Sequence, residues 1–440
     1  MANRYASRME KPWLPTWVDA ERGDAGSDVR FDEYVNLTEV GQAKLYDALK
    51  LTLLTGRARQ PTKAAERAYV QILGCIAANA IVATALGPRT RVHYSRANTT
   101  YVGGTSPYHP SWMTSKLLRQ TADKLGAGGY INSIIGTAGP STGRDWSRST
   151  YEPTLKLLAL LRELGLDATS VERDSDAAPV IFLQDEAAQQ KLYDPTAPGF
   201  ADKIASLKAW LAQVEQADIA LHLPPTDPDK SAPALGSRLY RRFGSSLAEH
   251  GRFYGGWWQN LPKEKRAHIT ISEEHTVELD FQGLVARMLY HQQGQDFEGD
   301  PYAIPEVIEA CQREGLDWEV ARPAVKQVFN FMLNAKKRGG YEQSKAFDGL
   351  PSTLSRKEVV EAVERHHAPV AHRFFKRQAL ALMNQDSRIC AAIMAAGVRD
   401  GVIVLPIHDS FIVAEAQADW LRAQMVEAYR AELGFDPVVL

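Results

Sequence analysis

The stretch Gly401-Val-Ile-Val-Leu-Pro-Ile-His-Asp-Ser-Phe-Ile-Val-Ala414 decides the fold of the C-terminal part of this 440-residue chain. Two short, β-branched apolar runs at 402–407 and 411–414 flank a His-Asp-Ser step, which predicts two strands of a hairpin. The step places the carboxylate of Asp409 at the hairpin tip. Because the sheet behind such a tip fixes the backbone, Asp409 is a candidate metal ligand.

A second aspartate is expected at a strand end. Thr276-Val-Glu-Leu-Asp-Phe281 alternates and predicts a strand that ends at Asp280, and a helix is expected over 283–290, whose N-terminus favours anions. If the two strands are neighbours, Asp280 and Asp409 can share two divalent ions roughly 3.5–4 Å apart. Mg²⁺ suits so sparse a site, with Mn²⁺ as the alternative. The competing interpretation is that each aspartate only caps a turn.

Between the two aspartates, residues 322–338 predict a helix with a polar face. Arg322, Lys326, Asn330 and Asn334 recur at four-residue intervals, so they follow one side of that helix. Two cations and two amides in a row suit a triphosphate with its sugar or base. A solvated amphipathic helix shows the same spacing and stays an alternative.

Residues 236–266 are basic and aromatic, with seven Lys/Arg against two acids and six aromatic rings. Cations hold phosphates and rings stack on bases, so this stretch predicts nucleic-acid contact. The formal net charge of the whole chain is -2, so any such surface has to be a local patch.

The N-terminal portion, 1–222, is expected to be mostly helical, and a Pro- and Asp-rich linker at 223–235 separates it from the C-terminal part, 236–440. Within it, 88–165 has the order helix, strand, Gly-rich loop and strand, which is typical of a winged helix. The loop residues Arg144 and Arg148 would then face DNA phosphates. An ordinary α+β core with solvated arginines gives the same pattern. The segments concerned are a helix at 111–125, strands at 130–135 and 145–151, and the loop at 136–143.

Composition excludes several classes. Cys75, Cys311 and Cys390 are far apart and form no CxxC pair, which argues against a zinc site or a disulfide framework and fits a reducing cytoplasm. Residues 1–15 lack the apolar core of a secretory signal. No run of about 18 apolar residues is evident, so we expect a cytoplasmic protein with no membrane partner.

These elements together resemble the superfamily that joins family A DNA polymerases with single-subunit, phage-type RNA polymerases. Asp280 in Glu-Leu-Asp-Phe-Gln-Gly-Leu is similar to motif A, Arg322 with Lys326 to motif B, and His408-Asp409-Ser410-Phe411 to motif C. Gly251-Arg252 and Gln259-Asn260-Leu-Pro262 resemble its duplex-contacting elements. The resemblance covers 236 to 440 and describes a compact, divergent member.

The resemblance implies an α+β fold, namely a right-hand palm whose antiparallel sheet carries both aspartates, with helical fingers. It also implies template-directed nucleotidyl transfer, with Asp280 and Asp409 holding two Mg²⁺ ions. Nucleoside triphosphates and a primed template, DNA first, would be the partners. The other roles it implies are triphosphate binding by Lys326 and Arg322, primer positioning by His408, and duplex contact by Arg252, Gln259 and Asn260.

Several positions depart from the family pattern. Val285 stands five residues after Asp280, where DNA-making members usually carry Glu, and His-Asp-Ser-Phe is closer to the RNA-making branch. Both departures favour ribonucleotide use or weak sugar discrimination. Asn334 stands where both branches usually have Tyr, and the element at 259–262 is that of the DNA-making branch. A strict DNA polymerase of family A type therefore stays open.

Three other functions compete with this interpretation. His-Asp phosphohydrolases carry their pair on helices with further histidines, whereas His366, His367 and His372 are expected at the surface here. Ser410 lacks the Gly-x-Ser-x-Gly elbow of a hydrolase nucleophile. A non-catalytic, DNA-binding replication protein remains the third, and Mg²⁺-dependent extension of a primed template would separate it from a polymerase.

Overall fold

The computed structural model describes residues 28–56, 60–86, 90–97, 100–101, 106–136, 149–174, 177–185, 190–223, 239–341 and 344–440. They form two units. The N-terminal unit takes the described residues up to Pro179 and Leu192–Pro195, and the C-terminal unit takes Val180–Lys191 and the described residues from Thr196 onwards. Both combine helices with antiparallel strand pairs, in agreement with the predicted α+β class.

The units divide the chain earlier than the predicted linker at 223–235. The physical reason is strand pairing over long sequence distances. The strand Ile181–Gln184 pairs in parallel with Tyr240–Phe243, and Ile219–Leu221 pairs with Ile269–Ile271. The sequence assigned the strands Ile181–Gln184, Gln190–Lys191 and Ile219–Leu221 to the N-terminal portion, but they complete sheets of the C-terminal unit. Residues 224–235 lie outside the described residues.

The described part of the N-terminal unit packs helices and a four-stranded sheet around one apolar core. Its helices are α1 (Glu39–Leu54), α2 (Lys63–Leu86), α3 (Ser115–Ala127) and α4 (Leu155–Glu163). Its strands are β1 (Asp28–Arg30), β2 (Val35–Leu37), β3 (Arg91–Tyr94), β4 (Ile131–Ile134), β5 (Ser149–Pro153) and β6 (Val171–Arg173). The sheet order is β1-β3-β5-β4, with β1 and β3 parallel, and β2 pairs with β6.

The predicted order of helix, strand and returning strand is present in this unit as α3, β4 and β5. The strands β4 and β5 are antiparallel, with Ile131 opposite Pro153. The same hairpin forms the edge of the four-stranded sheet, because β5 also pairs with β3. Arg144 and Arg148 lie outside the described residues, so the winged-helix interpretation and its phosphate contacts stay predictions.

Helix α2 is long and apolar, although no run of about 18 apolar residues was evident in the sequence. Its part Lys63–Ala85 is long and apolar enough to cross a membrane by length and composition. However, 78% of its most apolar window is buried inside the structure, and residues such as Ile72, Ile76 and Ala80 belong to the core of the unit. Packing in the core accounts for the apolar composition of this helix.

The C-terminal unit contains two sheets and the remaining described helices. The strands are β7 (Ile181–Gln184), β8 (Gln190–Lys191), β9 (Ile219–Leu221), β10 (Tyr240–Phe243), β11 (His250–Tyr254), β12 (Ile269–Ile271), β13 (Glu274–Asp280), β14 (Leu405–Ile407) and β15 (Ser410–Ala414). The helices are α5 (Phe200–Gln216), α6 (Lys263–Arg266), α7 (Leu284–His291), α8 (Pro305–Glu314), α9 (Trp318–Asn334), α10 (Arg356–His366), α11 (Ala379–Asp400) and α12 (Ala418–Leu433). The sheet orders are β14-β15-β13-β12-β9 and β11-β10-β7-β8.

The five-stranded sheet is antiparallel throughout and contains the predicted hairpin. Strand β14 begins only at Leu405, three residues later than the apolar run that predicted it. The preceding residues leave α11 through a left-handed Gly401, and the Val402 amide donates back to the Gly397 carbonyl at 2.8 Å. The run is thus apolar because it is buried, and only its second half is a strand.

Gly397 is the point at which α11 approaches this run. A Cβ atom at Gly397 would lie 2.7 Å from the Val402 carbonyl oxygen and 2.8 Å from Val404 Cγ2. A side chain therefore cannot be added without moving the backbone that leads into β14.

We expect Gly397→Ala to destabilise the C-terminal unit by about 1–3 kcal/mol, because overpacking displaces backbone. Gly126→Ala in α3 is the matched control, since its nearest neighbour would be 3.8 Å away. Removing a helical glycine there should be neutral or stabilising by up to about 1 kcal/mol. Chemical denaturation of both variants tests this, and equal midpoints would contradict the close approach.

Candidate active site

Asp280 and Asp409 lie at the same edge of the five-stranded sheet. Asp280 is the last residue of β13 and stands opposite Ser410, the first residue of β15. The Phe281 amide donates to the Asp409 carbonyl at 3.2 Å, so the β14–β15 turn is joined to the end of β13. The structure therefore brings together the two aspartates that the sequence singled out.

The Asp280 carboxyl is in an unfavourable environment for its charge. Burial, followed by the negative charge of Asp409, raises the pKa of Asp280 to about 6, and the charge of Lys326 acts in the opposite direction. Its Oδ1 atom is buried and accepts no hydrogen bond from the residues that the structure describes. A buried acceptor beside a second carboxylate is what a hard divalent cation satisfies.

The surroundings limit how such an ion could be held. Among the described residues, no group of three or more His, Cys, Asp or Glu side chains could hold a metal. A cation at Asp280 and Asp409 would therefore complete its coordination with water or with substrate oxygens, as Mg²⁺ commonly does.

The backbone of Asp280 is held on its other side by residues 438–440. Asp280 and Leu440 exchange two main-chain hydrogen bonds of 3.1 and 3.0 Å, and the Gln282 amide donates to the Val438 carbonyl at 2.9 Å. With β15 on one side and this segment on the other, the position of Asp280 is fixed from both directions.

Ser410 has a structural contact that the sequence did not reveal. Its Oγ atom donates to Glu278 Oε1 at 2.9 Å, and Arg266 holds both oxygens of Glu278 at 2.8 Å. Ser410 was interpreted as a sign of the sugar that the site accepts. That interpretation stays a prediction, and the hydroxyl joins β15 to β13 next to the aspartates.

His408 occupies the hairpin turn in a left-handed conformation, with φ of 51°. Two-residue hairpin turns demand such angles, and a non-glycine residue in one is strained in a way that is common at functional sites. Its ring lies edge-on to Tyr254, with centroids 5.5 Å apart. Burial, followed by the charge of Arg252, lowers the pKa of His408, so the imidazole is neutral at pH 7.

Arg252 forms an ion pair that the sequence did not predict. Its Nε donates to Asp386 Oδ2 at 2.7 Å, and the exposed fractions of the two side chains are only 18% and 4%. Burial raises the pKa of Asp386 to about 7, although the charge of Arg252 opposes this. The buried side of α11 carries three polar residues, Asn384, Asp386 and Ser387. This cluster is the signal that could have indicated an internal polar contact.

Gln259 contacts the protein's own backbone. Its Nε2 donates to the Phe253 and Pro406 carbonyls, both at 3.1 Å, and its Oε1 accepts from the Gly256 amide. These bonds fasten β11 to β14, and the expected role of Gln259 in duplex contact stays a prediction. Asn260, next to it, is exposed.

The predicted polar face of α9 is only partly available. Arg322 pairs with Asp300, with Nε–Oδ2 and Nη2–Oδ1 distances of 2.6 and 3.0 Å. The side-chain Nδ2 of Asn334 donates to the main-chain carbonyl of Asn330 in the same helix at 2.9 Å, and the Asn330 side chain is half-buried. Lys326 is exposed, and its charge reaches Asp280. Lys326 is thus the cation of this face that lies by the aspartates.

The chain between α7 and α8 is tied down from several elements. Arg287 donates to the Phe297 and Gly299 carbonyls, and His367 bonds the Pro301 carbonyl at 2.8 Å. His367 is fully buried, which corrects the expectation that it lies at the surface. Its imidazole is needed inside because it also contacts the Tyr290 hydroxyl at 3.1 Å.

This segment places Tyr302 within electrostatic reach of the site. The ring is buried and lies under the Arg322 guanidinium at 5.4 Å. Burial raises the pKa of Tyr302, and the charge of Asp409 adds to this. The sequence reading missed Tyr302, because no local pattern distinguishes it. Val285, expected to contact the sugar, is half-buried on α7.

No family model matches the chain, and no curated protein matches it. Among solved structures, the chain is similar to the POL domain of Pol1 from M. smegmatis in complex with DNA primer-template and dNTP. The identity is 13%, the TM-score is 0.30, and the match covers 55% of this chain and 50% of that one. The chain thus spans about half of the domain it matches, and the overlap is too low to establish a shared fold.

The raised pKa of Asp280 predicts an unusual pH dependence of stability. Because the folded value of about 6 exceeds the ordinary 3.8, ionisation in the folded state costs stability as the pH rises from 4 to 6. In chelator at pH 8, we expect Asp280→Asn to unfold with a free energy about 1–2 kcal/mol higher than wild type, a value reduced for partial solvent screening. At pH 4 the gain should vanish.

Asp300→Asn is the control with the opposite sign. Although burial acts against it, the Arg322 contact holds the pKa of Asp300 below its usual value. Its stabilising effect is present at pH 8 and is lost on acidification, so this variant should be less stable than wild type at pH 8. Denaturant titrations at both pH values measure both effects. A loss of stability in Asp280→Asn at pH 8 would refute the unfavourable effect of burial and of the Asp409 charge on the ionised Asp280 carboxyl.

Proposed function

We propose that this chain is a template-directed nucleic-acid polymerase of the superfamily that joins family A DNA polymerases and phage-type RNA polymerases. One observation carries the proposal: Asp280 and Asp409 meet at adjacent strand ends, with a buried Asp280 oxygen to which no described residue donates a hydrogen bond, and the charge of the exposed Lys326 reaches Asp280. Paired carboxylates beside a cation suit the transfer of a charged phosphoryl group.

The donor set fits Mg²⁺, which Asp280 and Asp409 would hold as two ions. Bound there, Mg²⁺ supplies charge neutralisation on the triphosphate and a lower pKa for the attacking hydroxyl. The remaining work falls to the chain itself. Lys326 binds the triphosphate, and Arg322, held by Asp300, adds positive charge beside it. The neutral His408 orients the primer terminus from the hairpin turn.

The nucleic acid is proposed to lie along the exposed part of the five-stranded sheet and the basic residues of α6. Arg252 is fixed by Asp386, so it contributes positive charge that acts on Asp409 rather than a flexible contact with the duplex. Asn260 is exposed, whereas Gln259 is half-buried, so Asn260 is the better candidate of the two for direct contact with the duplex. A primed DNA template and nucleoside triphosphates are the proposed partners.

The sugar preference is proposed from Val285. A half-buried, apolar side chain at this position offers no polar group to exclude a ribose 2′-hydroxyl. We therefore propose ribonucleotide use, or weak discrimination between the two sugars. A strict DNA polymerase is the competing outcome of the test below.

Mg²⁺-dependent extension of a primed DNA template tests the reaction itself. Asp280→Asn and Asp409→Asn should each lower the rate by at least about 10³-fold, since several kcal/mol of charge stabilisation are lost. Asp436→Asn is the matched control, an exposed carboxylate paired with Arg430, and should leave the rate unchanged. Wild-type protein that binds DNA tightly without extending it would favour the non-catalytic binding protein.

Lys326→Ala should lower incorporation per enzyme by about 10²–10³-fold while binding of the primed template stays within a few fold, because the cation acts on the triphosphate. Lys357→Ala on α10, an exposed lysine of the same unit, is the control. Single-turnover rates and DNA affinities of both variants separate the two effects. A loss of template affinity that accounts for the whole defect would contradict the role of Lys326.

Val285→Glu should shift incorporation toward deoxynucleotides by about tenfold or more, since a carboxylate there has to be desolvated to admit a 2′-hydroxyl. Competition between each dNTP and its rNTP, run beside Val320→Glu at an exposed position of α9, measures the shift. If wild type already rejects ribonucleotides strongly, the sugar preference is that of a DNA polymerase and Val285 is not the determinant.

A further inference from the structure

A small cavity in the C-terminal unit lies between α5, the β10–β11 hairpin and α11, and none of its lining residues belongs to the candidate active site. Its free volume of about 10 Å³ admits one guest of about the size of a water molecule. The lining includes Lys203, Ser206, Trp210, Arg241, Phe253 and Met394.

Arg241 is a buried cation with neutral neighbours, and it is only 4% exposed. Its Nε donates to the Gly251 carbonyl at 2.9 Å, and its Nη2 donates to Ser387 Oγ at 3.0 Å. The guanidinium also lies over the rings of Phe243 and Phe253, at 4.8 and 4.7 Å. These contacts satisfy part of its hydrogen-bonding capacity, and the rings attract the cation, but none of these groups carries a negative charge.

No acid compensates Arg241 in the part of the chain that the structure describes. The buried acid of the neighbouring helix, Asp386, is bonded to Arg252 instead. Burial lowers the pKa of Arg241 to about 10, so the side chain stays charged at pH 7. Buried charges in proteins are normally paired, since an unpaired one costs several kcal/mol.

Lys203 brings a second positive charge to the same cavity. Burial, followed by the charge of Arg241, lowers the pKa of Lys203, while Asp202 acts in the opposite direction from an exposed position. Lys203, Arg241 and Ser206 line the same cavity, and none of the described residues that line it carries a negative charge.

We propose that this cavity is a binding site for chloride, held by Arg241, Lys203 and Ser206. A monatomic anion supplies the missing negative charge within the free volume of about 10 Å³. Water would fill the space but would leave both charges uncompensated. The inference is independent of the polymerase proposal, because it rests on other residues.

Thermal unfolding at constant ionic strength, in sodium chloride or sodium gluconate, tests the site. Gluconate is too large to enter, so wild type should melt roughly 2–4 °C higher in chloride. Lys203→Met should lose this difference, because it removes the cation that is partly accessible. Lys208→Met, on the same helix but outside the cavity lining, should keep it.

A crystal grown in sodium bromide provides a direct readout that needs no buried substitution. An anomalous peak in contact with Arg241 and Lys203 is the expected result. Equal melting temperatures of wild type in the two salts would overturn the proposal. A chloride effect that Lys203→Met retains, or bromide found only elsewhere, would place the halide outside this cavity and overturn it equally.

Discussion

The antiparallel register of β13 and β15 is the constraint on which the candidate site depends. By setting Asp280 opposite Ser410, it brings two carboxylates to one sheet edge, where burial, followed by the charge of Asp409, raises the pKa of Asp280. Main-chain bonds to Leu440 and the link from Ser410 to Glu278 hold this register from both sides. The surrounding packing therefore maintains an arrangement that is electrostatically unfavourable without a cation, which is how strained sites persist in otherwise stable folds.

The aspartate pair could be predicted from sequence because both strands carry a strong local pattern. Alternating or β-branched runs that end at a carboxylate specify the strand end, and a one-residue slip would expose a buried face. The domain boundary could not be predicted in this way. Strands β7 and β9 join partners 60 and about 50 residues away, and short strands such as Ile219–Leu221 carry no local sign of which sheet they complete.

The partners of the arginines could not be predicted from the sequence either. The sequence pattern of an arginine is the same whether its guanidinium faces solvent, a phosphate or an internal acid. Arg322 meets Asp300 and Arg252 meets Asp386 only through tertiary approach. Gln259 likewise meets Pro406 across two segments distant in sequence. Motif residues identify which side chains gather at a site, but their contacts with one another decide which of them remain available to a ligand.

Charge balance across the C-terminal unit explains why its arginines behave differently. Arg252 and Arg241 lie on neighbouring strands and both reach α11, one at Asp386 and the other at Ser387. One step along the helix thus separates a compensated cation from an uncompensated one. Near the aspartates, Arg322 and Arg252 are each held in place by an acid, whereas Lys326 is exposed and its charge reaches Asp280. The paired arginines therefore provide fixed positive charge around Asp280 and Asp409, and Lys326 is the exposed cation of this set.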